Sequence, residues 1–311
     1  MTFSATDAAF EGFRVVRRKP VVLLWWALLY AALSLVSLAL MSGMGDSFAE
    51  FVRVSEELEA SSAGGAEPSP EEMGRMFGAL GGYMASFAWI FPLQIIVGSV
   101  MAAGVARAVV RPSEGRFGYL RLGMDEVRVF VVSLVLGLIF GLVYIGCVIG
   151  IAVTGAIAGA IGEAWAGLIV LVAVLATLAL LVWLAVRLSL AIPITVAERR
   201  MAFFDSFGVT RGRFWSMLGM AVITVVMVIL VWLLSVMVMA PLTMMAGYNM
   251  LEVMMGGDPS AVFEMYSLSN PWMIAVAVAG AVMNALLMGV WYAPFAAAYR
   301  DLKGTGTPEL A

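Results

Sequence analysis

The chain has 311 residues, 63% hydrophobic and 13% charged, with a mean hydropathy of +1.00. About a quarter of an ordinary soluble domain is charged, so 18 basic and 21 acidic side chains cannot cover a water-soluble fold of this size, and the composition points to a membrane protein. There is no histidine, and the single cysteine, Cys147, lies in an apolar run, which excludes an intramolecular disulfide, imidazole ligands and Ser-His or Cys-His nucleophilic sites.

Six stretches without ionisable residues, 20–45, 76–106, 129–162, 164–186, 214–251 and 265–299, can each cross the bilayer once, since about 20 helical residues span its hydrocarbon. The expected fold is an all-α membrane protein, a single integral domain over 1–311. Its six transmembrane helices fall near 21–43, 77–106, 129–153, 165–192, 215–240 and 272–298.

In chain order, residues 4–19 place Phe10, Phe13 and Val16 on one side among Arg14, Arg17 and Arg18, the pattern of a helix lying on an anionic leaflet. The run Val21–Met41 is longer than a signal-peptide core of roughly 7–15 residues and no Ala-x-Ala site follows, so it reads as a retained helix. The polar loop 44–75 should carry a short helix capped by Ser47 and Glu50, with Phe48, Phe51, Val52 and Leu58 on one face. Its acids have no ligand spacing and read as a solvated face. A linker follows, and Ser69-Pro70-Glu71-Glu72 caps the second span. Pro92 and Pro241 are candidate kinks. Gln94 and Asn284 are the two polar groups that could share a cavity at depth; the other mid-span polar groups read as helix-helix hydrogen bonds.

Before span three, residues 116–128 weakly repeat the basic amphipathic pattern. Span three carries small pairs at four-residue spacing, Gly137/Gly141, Gly146/Gly150 and Gly155/Gly159, read as close helix packing within the monomer ahead of dimerisation. Arg187, near the end of span four, either snorkels to the interface or meets a lipid phosphate. Residues 199–213 resemble 4–19: setting Phe10 on Phe204 aligns Glu11 with Asp205, Phe13 with Phe207, Val15 with Val209, Arg17 with Arg211 and Lys19 with Arg213. Three hairpins, each preceded by a cytoplasmic amphipathic helix, are therefore expected. Methionines 239, 244, 245, 250, 254 and 255 suggest an adaptable packing surface; no metal site or other cofactor is expected. Asp258-Pro259 should start a short helix holding Val262, Met265 and Tyr266, and Asn270-Pro271 should start span six.

Sixteen of the 18 basic residues fall on the two termini and the second and fourth loops, leaving only Arg53 and Arg75 on the other side. The positive-inside rule puts both termini in the cytoplasm, in a bacterial inner membrane, and loops 44–75, 155–163 and 248–270 outside.

The stretch RLSLAIPITVAERRMAFFDSFGVTRGRFWSMLGM (187–220) and the ending WYAPFAAAYRDLKG resemble the bacterial glycerophosphoryl diester phosphodiesterase membrane domain and its stand-alone relatives. Residues carrying the likeness are Arg187, Pro193, Glu198, Ala202, Ser206-Phe207 and Thr210-Arg211-Gly212-Arg213-Phe214-Trp215; departures are Phe204, Asp205 and Gly208. The resemblance implies a six-span membrane domain. It does not imply phosphodiesterase activity, because the catalytic barrel of such relatives is a separate soluble domain and no loop here exceeds about 30 residues.

With no acid at mid-span, no acid/base pair for an enzyme can be named. The expected function is a non-catalytic lipid- or envelope-associated binding or scaffold domain; the alternative is a small transporter or lipid-translocating protein. Arg14, Arg17, Arg18, Arg187, Arg199, Arg200, Arg211 and Arg213 are the candidates to meet anionic headgroups. The other expected partners are a membrane protein or a second copy of the chain, and not nucleic acid.

Overall fold

A computed structural model of the chain describes residues 4–62, 67–247, 266 and 268–304. Among these residues there is no strand. The α-helices are α1 (Ala5–Ala9), α2 (Glu11–Arg18), α3 (Pro20–Ser42), α4 (Gly45–Ser62), α5 (Pro70–Phe87), α6 (Ile90–Val110), α7 (Met124–Ile161), α8 (Glu163–Leu188), α9 (Ala191–Glu198), α10 (Asp205–Val209), α11 (Phe214–Met245) and α12 (Pro271–Lys303). Six helical stretches are long and apolar enough to cross a membrane: Pro20–Met41, Pro70–Val110, Arg116–Gly159, Trp165–Glu198, Phe214–Met245 and Pro271–Lys303.

Local chemistry sets several boundaries. Ser69 Oγ accepts from the Glu72 amide at 3.2 Å while Glu72 Oε2 accepts from the Ser69 amide at 2.8 Å, closing a capping box ahead of α5. Asn270 Oδ1 accepts from the amides of Trp272 and Met273, capping α12.

Other boundaries differ from expectation. Ser47 caps nothing: α4 starts two residues earlier, and the Ser47 hydroxyl donates to the Met44 carbonyl and bonds to Ser86 Oγ. In place of a kink at Pro92, the second span breaks at Ala88–Trp89. Pro92 then lies in the first turn of α6, where its missing N–H would have had no intrahelical acceptor. Pro241 stays inside α11, and Pro294 inside α12. α7 runs to Ile161, so the connection expected over 155–163 contracts to Gly162, at φ +142°. Residues 116–128 form no separate amphipathic helix: a 3₁₀ turn over Arg116–Tyr119 has left-handed backbone at Phe117 and Gly118, and α7 begins at Met124. The expected helix at 258–266, apart from Tyr266, and Met250, Met254 and Met255 lie outside the described residues, whereas Met244 and Met245 are exposed at the end of α11.

The chain forms two compact units, 1–22 with 99–228 and 288–311, and 23–98 with 229–287. In the first, α7 packs along α8 and α9. α2 turns Glu11, Gly12 and Val15 inward and leaves Phe10 exposed. Gly12 is needed there: a Cβ would lie 2.7 Å from the Gly289 oxygen and the Val290 Cα of α12. In the second unit α4 packs on α5, with the rings of Phe48 and Phe51 5.2 and 5.9 Å from that of Tyr83. Leu38, Ala246 and Met273 form a small core beside Tyr266, and the Asn270 amide donates to the Ala246 carbonyl.

The glycine pairs of α7 do not do what their spacing suggested. A Cβ at Gly137, Gly141, Gly146, Gly150 or Gly159 would meet nothing within 4 Å, and at Gly155 only the Val170 side chain, at 3.7 Å. Among the described residues, no second backbone comes within 4 Å of a Cβ at these points.

Candidate functional site

The first unit holds every arginine that the sequence marked as a headgroup candidate, and the structure sorts them by what they touch. Arg14 bonds to Asp7 at 2.9 Å and Glu11 at 3.2 Å; Arg199 to Glu114 at 3.1 Å; Arg200 to Glu198 at 2.7 Å and Asp205 at 2.8 Å. The Arg200 guanidinium holds the Asp205 carboxyl below the usual carboxylate range, and Asp205, followed by Glu198, raises Arg200 in return. Arg187 is half-buried and serves the fold: its Nη1 donates to the Phe207 carbonyl and Thr210 Oγ1, both at 3.4 Å, and its guanidinium lies 5.8 Å from the Trp183 ring centroid. Arg17, Arg18, Arg211 and Arg213 are exposed and form no ion pair among the described residues. They stand at the last residues before α3 and α11, where those helices begin.

In the two segments aligned by sequence one ring pair has nearly the same spacing, although the helix of the first runs eight residues and that of the second five. The Phe10 and Phe13 rings are 6.5 Å apart at 42°, and the Phe204 and Phe207 rings 6.3 Å apart at 49°.

The stretch 187–220 is held together by its own polar side chains. Span four breaks at Ser189–Leu190, and the freed Leu190 amide donates to Ser206 Oγ at 3.1 Å. Thr195 Oγ1 accepts from the Ala202 amide at 3.2 Å. Glu198 accepts from the Tyr299 hydroxyl at 3.0 Å and from Lys303, tying α9 to α12. Gly212 sits at φ +75° in the turn before Phe214 and Trp215, whose rings meet edge to face at 5.4 Å.

Sequence reasoning missed the buried cation beside this region. Arg107, 1% exposed, donates to the Tyr119 carbonyl and to Glu126 Oε1, while Glu126 Oε2 accepts from the Gly123 amide at 3.0 Å. Arg111 extends the network to Asp125 at 3.3 Å and to the Val196 and Ala197 carbonyls of α9. Lys19 donates to the Tyr119 hydroxyl at 2.7 Å, which donates to the Pro112 carbonyl at 2.9 Å.

Also missed was a groove of about 240 Å³, built from α6, α7, α8, the 189–190 break, α9 and α12. Ala102, Ala106, Phe140, Pro193, Trp291 and Tyr292 are among the residues that line it. It is almost wholly apolar, with no charged lining residue. Gln94 and Asn284 are not part of it: both are exposed, and Asn284 donates to the Gly280 carbonyl of its own helix. No group of three or more His, Cys, Asp or Glu able to hold a metal occurs among the described residues.

No curated protein and no solved structure matches the chain. A family model does match, over residues 5–302, nearly the full length: the chain belongs to DUF7847, described as a domain of unknown function.

Proposed function

We propose that this chain is a non-catalytic six-span protein of the bacterial inner membrane that associates with anionic lipid through its basic side, with both termini in the cytoplasm. The observation that carries this reading is the division among the arginines. Of the eight candidates, Arg14, Arg187, Arg199 and Arg200 are consumed by internal ion pairs or carbonyls, while Arg17, Arg18, Arg211 and Arg213 face outward without a partner among the described residues, at the ends of two apolar spans. A basic residue placed there gains about 1 kcal/mol from an anionic leaflet. The matching ring spacing at 10–13 and 204–207 supports a repeated interfacial element at these two sites.

The test is native mass spectrometry of the full chain released from nanodiscs of mixed anionic and zwitterionic phospholipid. The wild type should retain anionic lipid, and the fourfold Arg17→Gln, Arg18→Gln, Arg211→Gln, Arg213→Gln variant should retain at least about tenfold less. Arg14→Gln, which removes an internally paired arginine, should change retention little. Equal retention by the wild type and the fourfold variant would overturn the reading. Movement of labelled lipid between leaflets by reconstituted wild type, faster than in empty vesicles, would replace it with the transport alternative.

A further inference from the structure

The groove in the first unit is an almost wholly apolar slot with two polar lining residues, Tyr292 and Ser189. Tyr292 lines it half-buried, and its hydroxyl forms no hydrogen bond with any described residue. A buried phenol ordinarily finds a partner. The hydroxyl of Tyr299, two turns further along the same face of α12, is satisfied by Glu198. The second polar lining residue, Ser189, already donates to the Val186 carbonyl at 2.8 Å. Tyr292 is thus the groove's free donor.

The groove's depth follows from helix length. Trp272 and Tyr292 are twenty residues apart on α12, and Trp165 and Ala185 twenty apart on α8. At 1.5 Å per residue each interval is about 30 Å, the thickness of the hydrocarbon. With Trp165 at one boundary, as aromatic residues at an interface are placed, Ala185 and the groove it lines with Tyr292 lie at the other, on the basic side. The walls bear this out: Trp291 is 39% exposed and Ala185 is also exposed, so the slot opens sideways to lipid. At that level a phospholipid carries the ester carbonyls joining its acyl chains to glycerol.

We infer that the groove is a binding site for one acyl chain of an ester-linked phospholipid, with the Tyr292 hydroxyl donating to the ester carbonyl. This rests on the membrane reading above but not on its headgroup preference. The absence of any charged lining residue rules out a carboxylate or phosphate inside the slot. A chain segment needs only the apolar walls, and its single polar atom meets the single free donor. The headgroup stays outside, so the slot selects for the linkage and not for charge.

The experiment uses the full chain in nanodiscs of zwitterionic choline lipid, doped with a choline phospholipid bearing a diazirine on one chain, in ester-linked and ether-linked forms of equal length. After irradiation, adducts should fall on the segment containing Trp291–Phe295, about fivefold more from the ester than from the ether, the value of one hydrogen bond. Tyr292→Phe should remove that preference while leaving adducts, and Ala185→Phe, which fills the slot from its exposed wall, should lower both. Equal labelling by ester and ether in the wild type, or adducts spread evenly over the spans, overturns the site; the wild-type comparison needs no variant to fold. Because the bilayer is zwitterionic, loss of the anionic-lipid preference leaves these outcomes untouched. A chain that does not enter the nanodisc fails both readings, whereas an inserted chain without groove labelling fails this one alone.

Discussion

The two units use the same residue types in opposite ways. The first contains 16 of the 18 basic residues and 10 of the 21 acidic ones; the second contains two and 11. In the first, charge is taken into the core: Glu11 and Glu126 are 5% exposed and Arg107 1%. Among the described residues of the second it stays at the surface. Arg53 pairs with Glu50 and Glu57, and Arg75 with Glu57, through side chains 44–64% exposed. A charge that has left water must be matched by partners in fixed positions, so the first unit is specified by its ion pairs. The second is specified by rings and caps: Phe48 and Phe51 on Tyr83, Ser69 with Glu72, and Asn270 at the start of α12.

Arg107 offers the largest contrast. Arg107→Ala leaves Glu126 buried without its cation and the Tyr119 carbonyl without its donor, which should cost about 3–5 kcal/mol. Arg53→Ala in the second unit should cost less than about 1 kcal/mol, since exposed pairs contribute little. Thermal unfolding of both variants in detergent checks this. Similar small losses from the two would erase the distinction between the units.

Glycine provides a second contrast of opposite sign. At Gly12 a Cβ meets the backbone of Gly289 and Val290 at 2.7 Å, with no flexible side chain to yield. Gly12→Ala should therefore destabilise by about 1–3 kcal/mol, the usual effect of overpacking. Gly81, in the interior of α5, has nothing within 4 Å of its Cβ position. There the same substitution removes only the entropy penalty of a helical glycine and should stabilise by about 0.5–1 kcal/mol. The two changes measured side by side should move the melting temperature in opposite directions.

What was legible in the sequence depended on how local its cause was. Ser69, Pro70 and Glu72 cap within one turn, and the two predicted bonds are present. The six long apolar stretches were legible for the same reason, being a property of each run alone. Pro92 was a correct signal of irregular structure in the wrong place, because the break falls where the proline's missing donor costs nothing. Arg107 was illegible: its burial requires Tyr119 in left-handed backbone at φ +67° and Glu126 at the start of the next helix. The eight candidate arginines looked alike: Arg14 and Arg200 pair with acids within seven residues, but Arg199 finds Glu114 85 positions away, a partner that no local pattern records. The groove needed five helices at once, and no single segment records it.

The smallest expected effect tests the first unit's exposed rim. Asp205 and Arg200 are bonded at 2.8 and 3.1 Å, and the arginine depresses the carboxyl's pKa below its ordinary value near 3.8. A depressed folded-state pKa means that the unfolded chain takes up the proton first as pH falls. The pair therefore contributes in full above the unfolded value and is lost as pH drops through the folded one, and it contributes nothing to any change between pH 6 and 8. Wild type should lose slightly more stability between pH 5 and pH 2 than Asp205→Asn, whose side chain does not titrate. With both partners more than a third exposed, solvent screening keeps the difference small. Raising the salt concentration should shrink it further. A difference that persisted at high salt would mean that Asp205 braces α10 against α9 through a less exposed contact than its surface position provides.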